Sequence, residues 1–100
     1  MPTSVDVVFA ALADATRRSL LETIAQAGGA SASALAVDAD ISRQAIAKHL
    51  TLLEQAGLVS RKRHGREVRF FVETQQLAAT GRWMQRFATR WGQVPADEQE

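Results

Sequence analysis

Arg43, Gln44 and Lys48 are spaced for one side of a helix and carry groups that pair with nucleobase edges. A guanidinium or an ammonium donates to guanine or to phosphate, and a carboxamide pairs with adenine. In a helical projection Gln44, Lys48 and Thr51 fall opposite the apolar stripe Ile46, Leu50 and Leu53, with Arg43 and Ala47 flanking. Small Ala45 and Ala47 would let a ligand come close to the backbone. Ser42 just precedes this run. As an N-cap it would open the helix, and with the first free N–H groups it could hold phosphate. Further on, Arg61, Lys62, Arg63, Arg66 and Arg69 crowd around His64-Gly65. A basic run alone is usually a solvated surface. Beside a polar helix face it reads as a grip on a polyanion. His49 projects on the apolar flank, where two readings stand: packing at the helix edge, or contact with the ligand.

The elements that must hold these groups follow from periodicity. Val5, Val8, Phe9 and Leu12 recur at helical spacing, which predicts a helix from about Ser4 to Ala13 capped by Ser4 or Thr3. Asp14 would cap a second helix, Thr16 to Ala27, with Leu20, Leu21 and Ile24 inward and Gly28-Gly29 as its stop. Arg17 and Arg18 fall in its first turn, where a solvated pair and a phosphate-facing pair are equally open. Ser31 would cap a short helix, Ala32 to Val37, that buries Leu35, and Ile41 plugs the gap to the next. The helix opened by Ser42 runs to about Ala56 and stops at Gly57. Ser60–Arg63 and Glu67–Val72 read as two strands turning at Gly65, with Val68, Phe70 and Val72 on the inward face. From about Thr74 the pattern is helical again. Leu77, Gly81, Met84, Ala88 and Trp91 form its stripe, with Trp83 and Phe87 beside them. Large aromatics this late in a small chain mark an interface. The expectation is a homodimer through the first and last helices, with Val5, Val8, Phe9, Leu12, Leu77, Met84, Phe87 and Trp91 at the contact. The closing Pro95–Glu100 run is polar, with frayed ends expected.

Composition agrees with one small folded domain over residues 1–100, mainly α with a small β-hairpin. The overall charge of +1 hides a division. Residues 1–42 hold two basic and five acidic residues, net −3; residues 43–69 hold seven and two, net +5; residues 70–100 hold three and four, net −1. Positive charge thus gathers where the candidate helix and hairpin lie. No apolar run approaches the roughly 18 residues of a membrane span. The N-terminus lacks a basic stretch before an apolar one, so no signal peptide is expected and the cytoplasm is the expected location. The chain has no cysteine, which removes disulfides and thiolate metal sites.

Three stretches resemble the ArsR-type, arsenic-repressor-like, winged helix-turn-helix regulators. They are LADATRRSLL (Leu12–Leu21), ISRQAIAKHLTLLEQAGLV (Ile41–Val59) and RHGREVRFFV (Arg63–Val72). The likeness extends from Val5 to Trp91. It implies a homodimeric bacterial repressor of transcription that binds double-stranded DNA. Ser42, Arg43, Gln44, Ala45 and Lys48 match the recognition helix of that family, and His49 matches a histidine assigned a backbone contact. Arg63, His64 and Arg66 match the wing tip, and Ser31 a position that can reach a phosphate. The spacing of Trp83, Phe87 and Trp91 resembles the branch without metal-sensing residues. The short helix A-S-A-L-A-V lacks the family's thiolate pair, and residues 74–96 contain no Asp, Glu, His or Cys. Metal regulation is therefore not expected, no cofactor is implied, and any small-molecule effector is unspecified. The alternative is a winged-helix protein-interaction module that does not touch DNA. An enzyme is the weakest reading, since no nucleophile–base–acid set or glycine-rich phosphate loop is present.

Overall fold

The computed structural model describes residues 4–92. Thr3, one of the two expected caps, and the polar tail from Pro95 lie outside them. In chain order the elements are α1 (Ser4–Leu12), α2 (Ala15–Ala27), β1 (Ala30–Ser31), α3 (Ala32–Ala36), α4 (Arg43–Gln55), β2 (Val59–His64), β3 (Glu67–Val72) and α5 (Gln75–Trp91). Three helix starts carry the caps that the sequence marks. Asp14 Oδ1 accepts the N–H of Arg17 at 3.0 Å. Ser31 Oγ accepts from Ala34 at 3.1 Å, and Ser42 Oγ from Ala45 at 3.1 Å. Each of these residues is extended, so the chain turns into its helix there while one otherwise orphaned donor is satisfied. The start of α5 differs. Thr74 precedes α5 without a side-chain cap bond.

α4 ends where Gly57 takes φ +75°, which lets its N–H return to Glu54 and the Leu58 N–H reach the Leu53 carbonyl at 3.0 Å. Leu58 and Val59 then plunge into the core. The hairpin that follows turns on Gly65 at φ +64°. β2 and β3 pair antiparallel from Val59 opposite Val72 to His64 opposite Glu67. The sheet is larger than the expected hairpin, because β1 adds a third strand on the other side of β3, with Ala30 opposite Phe70.

The core forms where the helices meet the inner face of this sheet. Val8, Ile24, Ile46, Leu50, Leu53 and Leu58 are fully buried, joined by Leu20, Leu35, Val59 and Phe70. Ile46, Leu50 and Leu53 are the inward stripe expected of α4, so the face opposite is fixed outward. Val8 corrects the interface expectation. At 0% exposure it belongs wholly to this chain's core, because the apolar side of α1 is wide enough to split between two neighbours. Val5, Leu12 and Leu77 are half-buried, the last two against the same core. Phe9, Trp83, Met84, Phe87 and Trp91 remain exposed. Phe9 and Trp83 meet edge to face at 5.8 Å, Trp83 stacks on Phe87 at 5.6 Å, and Phe87 lies 6.3 Å from Trp91. An aromatic ladder therefore runs from α1 along α5 with one side open.

Candidate nucleic-acid interface

Because α4 is anchored by its apolar stripe, Arg43, Gln44, Ala47, Lys48 and Thr51 all face solvent. Thr51 spends its hydroxyl proton on the Ala47 carbonyl at 3.0 Å. Ser42 is exposed at the helix start. Ala45 is half-buried, and its N–H is taken by the Ser42 cap. Of the two alanines expected to admit a ligand, Ala47 is therefore the open one.

Next to this face an open cleft of about 610 Å³ separates α4 from the wing. Arg43, Ala47 and Thr51 form one wall, Arg61, Arg66 and Val68 the other, and Ser31 and Ser33 lie at one end. Three arginines against one carboxylate, Glu67, make it a place for an anion. Ser31 lines the cleft, but it is buried and its oxygen is committed to the α3 cap. The exposed hydroxyl at this end belongs to Ser33. The cap uses a lone pair of Ser31, so its hydroxyl proton stays available at this end of the cleft.

The wing cations divide into two groups. Arg61 forks onto Glu54 of α4 with bonds of 2.9 and 2.8 Å and lies 5.2 Å over the Phe70 ring. Arg69 is paired with Glu67 at 2.7 Å, and Lys62 sits 5.5 Å over Phe71. At the tip, His64 lies 5.9 Å from the Phe71 ring. Among the described residues Arg63 and Arg66 have no carboxylate partner, and neither do Arg43 and Lys48 of α4. The tip and the outward face of α4 are thus the uncommitted charges of the positive region. Lys62 directly opposes Arg69 across the strands, a like-charge juxtaposition that the hairpin tolerates.

His49 and Arg17 meet at the flank of α4. His49 is half-buried at the edge of α4, its Nδ1 3.3 Å from Nη1 of Arg17. Arg17 is only 15% exposed. Its Nε donates to the Ala11 carbonyl at 2.7 Å and its Nη2 to Ala10 at 3.3 Å, while Arg18 donates to Leu12 at 2.6 Å. Both arginines donate to the last carbonyls of α1; Arg17 is withdrawn from solvent, while Arg18 stays exposed, as the solvated reading has it. The Arg17 N–H holds the Asp14 carboxyl below its ordinary range. This outweighs the opposing effect of desolvation, and the Arg17 charge adds to it.

A family model described as a helix-turn-helix domain matches residues 12–61, from the end of α1 into β2. An ArsR-like transcriptional regulator from Rhodococcus sp. RHA1 superposes with a TM-score of 0.81 at 40% identity, covering 89% of this chain and 83% of that one. The chain is an ArsR-type helix-turn-helix regulator. Transcriptional repressor SdpR of Bacillus subtilis (strain 168) is 32% identical over 83 residues, 83% of this chain and 91% of that protein. A homodimeric winged helix-turn-helix DNA-binding domain from Mycobacterium bovis, a possible ArsR-family regulator, matches at a TM-score of 0.68 and 25% identity. The match covers 88% of this chain and 81% of that one.

In this ArsR-type regulator α3 and α4 form the helix-turn-helix and β2–β3 the wing. Its biochemical role is that of a DNA-binding regulator of transcription. No group of three or more His, Cys, Asp or Glu that could hold a metal occurs among the described residues. No helix among them is long and apolar enough to cross a membrane.

Proposed function

We propose that this single domain acts as a homodimeric repressor in the cytoplasm, occluding promoters through sequence-specific contacts and without enzymatic activity. The observation that carries this reading is the uncommitted polar face of α4, set across an arginine-lined cleft from the wing tip. α4 enters the major groove. Arg43, Gln44 and Lys48 reach base edges, while Ser42 and the helix start meet phosphate. Arg63, His64 and Arg66 grip the backbone or the minor groove beside it. Two copies place their α4 helices roughly 34 Å apart on a near-palindromic site.

The pairing surface is the open side of the aromatic ladder: Phe9, Met84, Phe87 and Trp91, with Trp83 added to the expected set. A relative described as homodimeric and another described as a repressor support the assembly and the sign of regulation. Thiolate metal sensing lacks its ligands here, because the chain has no cysteine, and α5 has no Asp, Glu, His or Cys.

Gel shifts with the duplex upstream of the chain's own gene, over a range of salt, test the reading. Binding should be tighter than to random duplex and should weaken steeply with salt. Equal affinity for both would refute it. Gln44→Ala should cost about 1–3 kcal/mol and relax specificity at one base position. An even loss across all sequences would remove base reading from Gln44.

A further inference from the structure

His49 is matched to a DNA backbone contact by family resemblance, yet its geometry assigns it another partner. The Arg17 guanidinium has donors and no acceptor, so across the 3.3 Å contact Arg17 donates and His49 Nδ1 is the accepting side. Arg17 is itself fixed from three sides. The Ala10 and Ala11 carbonyls bind it to the end of α1, Asp14 lies 3.9 Å from Nη1, and its own backbone N–H is held in the α2 cap. An arginine tied this fully cannot swing to follow a ligand. His49 is therefore anchored through Arg17 to α1, the helix whose Phe9 begins the aromatic ladder. On α4, His49 follows directly after Lys48, and Gln44 lies five residues before it, so a fixed His49 ties α1 to the rotation that the buried stripe of Ile46, Leu50 and Leu53 gives α4.

We propose that Arg17 and His49 are positioning residues that carry the setting of the dimer helices into the rotation of α4. His49 acts by accepting from Arg17 at Nδ1 and does not touch DNA. This rests on the reading above, in which α4 enters the groove and α1 belongs to the dimer surface. Its physical content is that without the contact two recognition helices still bind, each with its own base contacts, and the relation between them loosens. The loss then appears in the required spacing of half-sites as well as in affinity.

Two carboxamides separate the nitrogens. An Asn oxygen occupies nearly the place of His Nδ1, and a Gln oxygen nearly that of Nε2. Asn matches His in helix propensity and Gln exceeds it, so a loss with Gln is not a propensity effect. The probe is a duplex recovered by the wild-type chain from a random-sequence pool, together with versions lengthened between the half-sites. His49→Asn should bind the probe within about threefold of wild type and keep its spacing preference, while His49→Gln and His49→Leu should weaken it about tenfold or more, a loss of roughly 1.4 kcal/mol. These two should also accept the lengthened duplexes comparatively better, with an unchanged salt slope and a wild-type thermal melt.

Retention by Gln with loss by Asn would place Nε2 on the DNA and overturn the proposal. Equal affinity in all three variants would do so too, as would a uniform loss that tracks a lowered melt. If the wild type recovers no preferred duplex, the proposed function itself fails. A flat variant series on a duplex that the wild type does prefer faults the positioning role alone.

Discussion

Arg17 and Arg18 at the start of α2 and Arg63 and Arg66 at the wing tip are similar pairs in composition and opposite in circumstance. The first pair sits beside the exposed carbonyls of a helix end and donates to backbone oxygens, Arg17 with two of its nitrogens and Arg18 with one. The second sits where the turning chain offers it no carboxylate partner among the described residues. The difference teaches that a basic residue is available to a polyanion only after the unsatisfied acceptors of its own fold have been served. Arg61 lies between these cases. It lines the cleft, yet its fork is closed on Glu54.

Substitutions can break this contrast. Arg17→Ala should have the largest effect, about 2–3 kcal/mol of stability, because charge-assisted bonds are lost and two carbonyls lose their donor. Urea unfolding measures it, and a loss near zero would mean that water replaces the guanidinium without cost. Arg66→Ala should leave the urea midpoint unmoved. It should weaken binding evenly across sequences, with the salt slope falling by about 1. An unchanged slope would remove Arg66 from the phosphates. Glu54→Gln should release Arg61 and raise the salt slope by a fraction of one unit, moving an intermediate arginine toward the wing-tip class. If the slope stays put, the Phe70 ring alone holds Arg61 in place.

The smallest effect concerns pH. The Asp14 carboxyl titrates lower in the folded chain than in the unfolded one, where the value is about 3.9. Its contribution is therefore present above that value and is lost as pH falls through the folded one. Asp14→Asn should keep the cap and flatten the acid limb of stability against pH, measured by urea unfolding in acidic buffers. An acid limb identical to wild type would show that Asp14 adds no pH dependence.

Much of this molecule was legible because local chemistry marks it. Ser31, Ser42 and Asp14 announce helix starts with their own oxygens, and the stripe of α4 determines which of its residues face out. Helix ends fell within one or two residues for the same reason. Through-space relations were hidden. β1 is two residues long and carries no periodicity of its own; it exists because β3 offers a free edge. Val8 shares helical spacing with Phe9, and only packing decides that one turns to the core and the other to solvent. The Arg17–His49 contact joins residues 32 positions apart, and neither residue type names the other.

The aromatic ladder has a consequence for dosage. Arg82 through Gly92 are all exposed in the single chain, so under the proposed pairing the second half of α5 would gain its burial from association. Its order is then governed by mass action. The apparent melting temperature should climb with protein concentration, and amide exchange along this stretch should slow as copies accumulate. At low copy number the concentration of paired chains rises as the square of the free chain concentration. A gene under such control would stay open until its product reached a threshold, with the steepness supplied by pairing through Trp83, Phe87 and Trp91.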